Sequence, residues 1–343
     1  VAMAANDIGI DLGTASVIVY DSQKGIILRE PSVVAVNTNT GKILSVGKEA
    51  YKMIGRTPDN IRAIKPLADG VISDFDTTEQ MLKYFLKKVC TNNIFKPRVA
   101  ICVPSGITGV ESNAVVDAAI AAGARKVFLI EEPVAAAIGA GIDISKPNGC
   151  IVLDIGGGTS DIAVLSLSGI VVKKSIKVAG NKFDDAIIKY IRNKYNILVG
   201  EKTAELIKIQ VGTAMFDGQE IIAEIKGRNL VTGLPQKISI RRTEIEEALY
   251  DTAMQIVHAV QSVLEITPPE LIVDIHTNGL IMTGGGAMLN GLDRLISHHT
   301  KLKTIIPPNS IECVAIGTGK SFKYIDKLVD GFVNPSIYTR ATN

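Results

Sequence analysis

Two stretches of this chain share one grammar: IGIDLGTAS at 8–16 and VLDIGGGTSD at 152–161. Each is an apolar run that reaches an aspartate, Asp11 or Asp154, and then turns through glycine into threonine and small residues. A third stretch, LIMTGGGAML at 280–289, repeats the strand and the glycines without the acid. A strand–turn unit that recurs at wide separation implies two related lobes facing each other. The 343 residues suffice for two domains or one large two-lobed one. No low-complexity linker divides them, so the lobes interleave along the chain.

Between these landmarks, strand and helix patterns alternate. Residues 7–20 and 26–37 read as β-branched strands with Gly25 at the turn. In 76–89, Met81, Leu82, Phe85, Leu86 and Val89 recur at helical spacing, with Thr77 and Gln80 as a capping box. Residues 98–104 read as a buried strand ended by Pro104, 113–123 as a helix ended by Gly123, and 126–133 as a strand. VAAAIGAGI, which follows, is a helix of small residues able to pack closely on a neighbour. Residues 151–155, 161–167 and 170–178 read as strands and 183–195 as a helix. Residues 242–264 form a long amphipathic helix, capped by Thr243 with Glu246 and stopped before Pro268 and Pro269. GTGKS at 317–321 ends like a phosphate loop but has Val314 where that motif needs its first glycine, so it reads as a turn opening the last helix.

The glycine turns suggest their own chemistry. Glycine lacks a Cβ, so its N–H approaches a ligand oxygen directly, and successive N–H groups make a nest for anions. Two facing turns would grip a chain of phosphates, with Thr14 and Thr159 adding hydroxyl donors. Asp11 and Asp154 repel phosphate and fit instead as ligands of Mg²⁺, held through its waters. Either hairpin alone is equally compatible with a plain β-turn; the pair together points to a polyphosphate with its metal.

Composition narrows the partners. Charged residues make up 21% against 46% hydrophobic, which marks an ordered globular chain. A net charge of +2 and an aromatic content of 5% without tryptophan give no general pull toward nucleic acid, and none is expected as a partner. Cys90, Cys102, Cys150 and Cys313 form no Cys-x-x-Cys pair, and Cys102 and Cys150 lie in apolar runs, as reduced thiols in a cytoplasmic protein do. His258, His276, His298 and His299 lack metal-ligand spacing, and the last two read as a solvated helix end. No apolar run approaches the roughly 18 residues of a membrane span, and the first residues read as neither signal peptide nor fold.

Taken together, GIDLGTAS, PSGIT, LIEEPVAAAIGAG, LDIGGGTSDIAVLS, TAELIKIQVGTA and MTGGGAMLNGL resemble the actin/DnaK-type chaperone/sugar kinase superfamily and, within it, the MreB family of bacterial actin homologues. The resemblance runs from about residue 7 to 335. It implies an α/β actin-like ATPase fold, two duplicated ribonuclease H-like lobes, each with a small subdomain, around a central nucleotide cleft. The implied division is 7–31 and 77–145 for subdomain IA, 32–76 for IB, 146–180 and 243–318 for IIA, 181–242 for IIB, and 319–343 for a C-terminal helix and tail returning to IA.

The resemblance also implies site residues. Asp11, Gly13, Thr14, Ala15 and Ser16 match the first phosphate hairpin, and Asp154, Gly156, Gly157, Gly158 and Thr159 the second. Glu205 and Lys208, one helical turn apart, match the pair contacting adenosine, and Gly284, Gly285 and Gly286 with Ala287 and Met288 match the adenosine turn. Asp11 and Asp154 would hold Mg²⁺, and Glu132, helped by Thr159 beside Asp154, would position the attacking water. A carboxylate at a strand end can orient a water for in-line attack and accept its proton. From the residues alone, Glu131 and Glu132 are equally ordinary charges at a strand exit. Ser16 stands where Asn is usual in the family and Gln210 where an acid often follows, and neither change removes a phosphate donor.

Ile94 and Phe95 sit in a polar stretch with Lys87, Lys88, Lys96 and Arg98 around them. They can insert between anionic headgroups, as the resemblance implies, or fold back onto the core. Two such side chains contribute only about 3–6 kcal/mol, so a filament would bind through avidity. The expectation is thus an ATPase with ATP and Mg²⁺ that polymerises with itself into filaments setting cell shape, peripheral at the inner face of the membrane, with cell-shape or motility proteins as further partners. A small-molecule kinase is disfavoured by EEPVAAAIGAG. A chaperone is disfavoured by the lack of room for a peptide-binding domain.

Overall fold

The computed structural model describes residues 7–90 and 96–324 together with the backbone of residues 332–333. Two sheets repeat one strand order. In the first lobe Gly25–Pro31, Ser16–Asp21 and Asp7–Leu12 run antiparallel to their neighbours, and Arg98–Val103 and Lys126–Glu131 then add on in parallel. In the second lobe Gly169–Ile176, Ser160–Ser166, Cys150–Ile155, Leu280–Thr283 and Thr304–Ile305 follow the same sequence of pairings. Phe332–Val333 pairs antiparallel on the outer edge of Lys126–Glu131. The echo between the two aspartate–glycine motifs is therefore the echo of two equivalent central hairpins.

Burial explains why these segments fold as they do. Cys150–Ile155 is buried along its whole length, as a strand covered on both faces must be. Over it, Gly180–Tyr195 buries Phe183, Ile187 and Ile191, and Arg242–Glu265 buries Ile245, Leu249, Ile256, Val260 and Val263, each set at helical spacing. In the first lobe Phe75–Val89 lays Met81, Leu82, Phe85 and Leu86 against the sheet, as the periodicity predicts. Each lobe carries a small antiparallel sheet at the top. One is built from Val34–Asn37, Ile43–Val46 and Ile61–Ile64 with the helix Lys48–Met53; the other is built from Ile197–Leu198, Ile222–Asn229 and Pro235–Arg241.

Several local readings need correction. The run 7–20 is two strands, broken where residues 13–15 turn back, and 26–37 divides between two sheets after Pro31. Phe75–Val89 is capped by Asp74, whose side chain accepts from the Thr77 N–H, so Thr77 lies inside the first turn. The 113–123 helix begins earlier, at Gly109, behind a capping box of Thr108 and Glu111. At the long helix, Thr243 donates to Glu220 and Glu246 accepts from the Phe216 N–H. The residue that closes back on the helix start is Glu244, accepting from Arg241 N–H.

GTGKS is no turn. Gly317, Thr318, Gly319 and Lys320 complete the helix Cys313–Lys320, which packs across Glu132–Gly139, the small-residue helix. A Cβ on Gly317 would strike the Ala135 carbonyl, and one on Gly139 the Cys313 carbonyl. Those glycines serve helix–helix contact between the lobes, and phosphate chemistry plays no part in their placement.

Candidate functional site

The two hairpins meet tip to tip. Gly13 N–H donates to the Ser16 carbonyl at 3.1 Å and Gly156 N–H to the Thr159 carbonyl at 2.9 Å, so each turn closes on itself. A Cβ added to Gly157 would come within 2.6 Å of Ala15 Cβ, and one on Gly158 within 2.7 Å of Thr14 Oγ1 and 3.0 Å of Asp69 Cα. Two of the three consecutive glycines therefore make room for the opposite lobe, a use that sequence reasoning had not assigned them. Gly156 differs: its Cβ would meet only the Thr159 carbonyl, at 3.5 Å.

Below the meeting point lies a cavity of about 710 Å³, lined by Asp11, Gly13, Thr14, Ala15, Ser16, Glu132, Asp154, Gly156, Gly157, Gly158, Thr159, Glu205, Lys208, Gly284, Gly285, Gly286 and Met288. Residues that the motifs left on five separate segments thus share one wall. Ala287 does not join them: its side chain is fully buried in the core of the second lobe, because the turn at Gly286–Met288 directs it inward. Gly284, at φ +83°, bends that turn tightly over Ile155, where any side chain would collide with the Ile155 backbone. Ile94 and Phe95 lie outside the described residues.

The cavity floor concentrates negative charge. Glu132 and Asp154, both buried, line it with the half-buried Asp11, and the fully buried Asp161 lies behind, hydrogen-bonded with Glu132; none of the four forms an ion pair among the described residues. Burial holds the Asp11 carboxyl up at about 6, against a hydrogen bond from Cys102 that lowers it. Burial likewise holds Asp154 up at about 7. The hydroxyl of Thr283, donating at 2.6 Å, opposes this, while Asp11 and Asp161 add to it. Glu132 rises well above the carboxylate range, through burial first and then the charges of Asp161, Asp154 and Asp11. Asp161 rises by burial too, restrained by the Ser105 N–H at 2.9 Å and by Ser175 and Thr159. Glu131, its neighbour's twin in sequence, faces away and pairs with Lys173 of the second lobe at 2.8 Å.

Among the described residues no three carboxylate, histidine or thiol groups converge as direct metal ligands. The donor set nonetheless fits Mg²⁺ held through its waters: two carboxylates from opposite lobes, Asp11 and Asp154, are raised by burial and lack a cation.

Toward the mouth, Lys208 pairs with Asp184 at 2.8 Å and donates to the Gly180 carbonyl at 2.9 Å, while Glu205 accepts from the Tyr51 hydroxyl. Asp161, Asp184, Gly180 and Tyr51 escaped the sequence reading. Only Asp161 carried a signal there, as the last residue of the second motif. Cys102, read as a small hydrophobe, has its thiol on Asp11 Oδ1 at 3.3 Å.

A family model described as MreB/Mbl protein matches residues 5–330. The chain belongs to the MreB/Mbl family. It is 54% identical over 327 residues to the cell shape-determining protein Mbl of Bacillus cereus, covering 95% of this chain and 98% of that relative. Identity to the cell shape-determining protein MreB of Escherichia coli is 47% over 331 residues, covering 94% and 95%. MreB5 of Spiroplasma citri, solved bound to ADP and bound to AMPPNP, superposes with a TM-score of 0.90 at 41% and 42% identity over 94% of this chain and 98% of that one. The two lobes and their cleft are thus the actin-like fold of the MreB/Mbl family.

Proposed function

We propose that this chain is an MreB-like cytoskeletal ATPase, which binds and hydrolyses ATP with Mg²⁺ and polymerises into membrane-associated filaments that determine cell shape. The observation that carries the reading is the tip-to-tip meeting of the two hairpins above four buried, cation-free carboxylates. A ligand that brings both phosphate oxygens and positive charge suits the glycine turns and the acids together. The family membership and the nucleotide-bound Spiroplasma relative support the same reading.

Bound Mg²⁺ would supply positive charge to the phosphates and to the carboxylates around it. Asp11 and Asp154 would hold its waters, one from each lobe. The hairpin amides and the hydroxyls of Thr14 and Thr159 would donate to phosphate oxygens. Glu132 stands at the start of Glu132–Gly139 in the cavity wall, where its carboxylate would hold a water in line with the terminal phosphate and take its proton. Glu205 and Lys208 would take the sugar, and the 284–286 turn with Met288 the base. The subdomain division from the sequence, with IA and IB before residue 146, IIA and IIB from 146 to 318, and 319–343 returning to IA, belongs to this proposal.

Filament assembly is read by light scattering, pelleting and negative-stain imaging with ATP and Mg²⁺, beside phosphate release. A protein that stays monomeric while phosphorylating an added sugar overturns the reading. For the membrane, Ile94→Ser with Phe95→Ser should abolish co-sedimentation with vesicles containing anionic lipid. Undiminished binding would assign the anchor elsewhere. Among the described residues no helix is long and apolar enough to cross a membrane.

A further inference from the structure

The two side chains expected to hold the sugar are fixed in different ways. Lys208 is held within its own lobe, by Asp184 and the Gly180 carbonyl. Glu205 is held from the other lobe: the Tyr51 hydroxyl, on the short helix Lys48–Met53, donates to its Oε2 at 2.5 Å. Tyr51 is itself gripped from the second lobe. Lys202 lies over its ring at 4.4 Å and donates to its backbone carbonyl. One strand farther along, Lys65 meets Glu201 at 2.9 Å. Glu201, Lys202 and Glu205 all stand on Glu201–Val211, the helix that also presents Lys208 to the cavity.

We propose that Tyr51 is a positioning residue of the nucleotide site: reaching across the cleft mouth to Glu205, it makes Lys48–Met53 a clamp that sets how long a nucleotide stays bound. The inference rests on the reading of Glu205 as a sugar contact. A carboxylate has lone pairs for several donors, so Glu205 can accept from Tyr51 and from a ribose hydroxyl at once. The tyrosine hydroxyl then fixes the rotamer of Glu205 before the sugar arrives, which removes an ordering cost from binding. Because the donor sits on the opposite lobe, Glu205 is ordered only when the lobes are closed. Opening the mouth releases the sugar contact and the lid in one motion. Tyr51 does not line the cavity, so its effect passes through Glu205 and the lobe contact.

The test uses the whole chain and two substitutions outside the cavity lining. Tyr51→Phe keeps the ring under Lys202 and removes only the hydroxyl; Lys65→Ala removes the neighbouring ion pair. Release of N-methylanthraniloyl-ATP with Mg²⁺, chased by excess ATP, should speed up roughly three- to tenfold in Tyr51→Phe. It should speed up about twofold in Lys65→Ala, whose pair is partly solvated. In nucleotide-free protein, amide hydrogen exchange across 201–211 should accelerate in Tyr51→Phe, although the substitution lies on the other lobe. Release at the wild-type rate overturns the clamp, and so does unchanged exchange in 201–211. A wild-type protein that binds no labelled nucleotide overturns the nucleotide reading and the residence claim. The exchange arm then still decides whether Tyr51 ties the lobes together.

Discussion

At the floor of the cleft Asp11, Glu132, Asp154 and Asp161 lie buried together without a cation, whereas at its mouth Lys208 faces Asp184 at 2.8 Å and Lys65 faces Glu201 at 2.9 Å. The same number of charges is handled in opposite ways. The floor leaves like charges desolvated, which costs free energy unless protons or a metal arrive. The mouth pairs its charges: Lys208–Asp184 is mostly buried within the second lobe, while Lys65–Glu201 crosses the cleft partly in water, where a pair is worth little and is easily opened. A floor of that kind defines what must bind, and a mouth of that kind decides how fast it comes and goes.

The largest effect should come from the approach of the hairpins that roof the floor. Gly158→Val places branched atoms where Thr14 Oγ1 and the Asp69 backbone already sit. Nucleotide binding should fall roughly 100-fold, toward the upper end of the about 1–3 kcal/mol that overpacking costs, because the clash opposes lobe closure at the hairpin tips. Retained binding, by titration with labelled ATP, would mean that the hairpins part readily.

Next comes the pair Glu131 and Glu132, adjacent in sequence and opposite in surroundings. Glu132→Ala should slow phosphate release about 100-fold with ATP binding retained. Glu131→Gln, which loosens only the partly exposed pair with Lys173, should change release less than about twofold. Equal effects would erase the distinction between floor and rim.

The smallest predicted effect is on stability. Asp11 and Asp154 hold their protons to about 6 and about 7, while in the unfolded chain they lose them near the ordinary value of 3.8. Between those limits the native state binds more protons than the unfolded one, so stability falls as pH rises. Metal- and nucleotide-free protein should therefore melt on the order of 5 °C lower at pH 8 than at pH 5. Mg²⁺ with ATP should remove most of that slope, since positive charge takes over from the protons. Glu30, Glu111 and Glu244, which are lowered from 4.5, oppose this slope only at its acid end, where the unfolded chain still protonates them. A melting temperature that rises with pH would mean that the floor is already neutralised.

The sequence laid out much of this molecule in advance. The repeated aspartate–glycine turn foretold two equivalent hairpins, and the spacing of Met81, Leu82, Phe85 and Leu86 foretold the face of a core helix. Such features are legible because they depend on backbone geometry and on the period of one element. Cap positions were less so: Asp74 displaced Thr77, and Arg241 with Glu244 displaced Thr243 with Glu246, since several polar residues near each helix start could serve and tertiary partners chose among them.

What escaped was decided between lobes. Gly157 is bare because Ala15 arrives from the other lobe, Gly317 because Ala135 does, and Glu205 is held by Tyr51, 154 residues away in the chain. The sequence by itself determined which turns are sharp, which helices have a buried face and which acids sit beside glycines. Only the tertiary structure decided which of those acids lack a cation, which glycines face another backbone and which side chain closes the mouth. Desolvation and close contact depend on distance in space, and no local pattern along a chain encodes that distance.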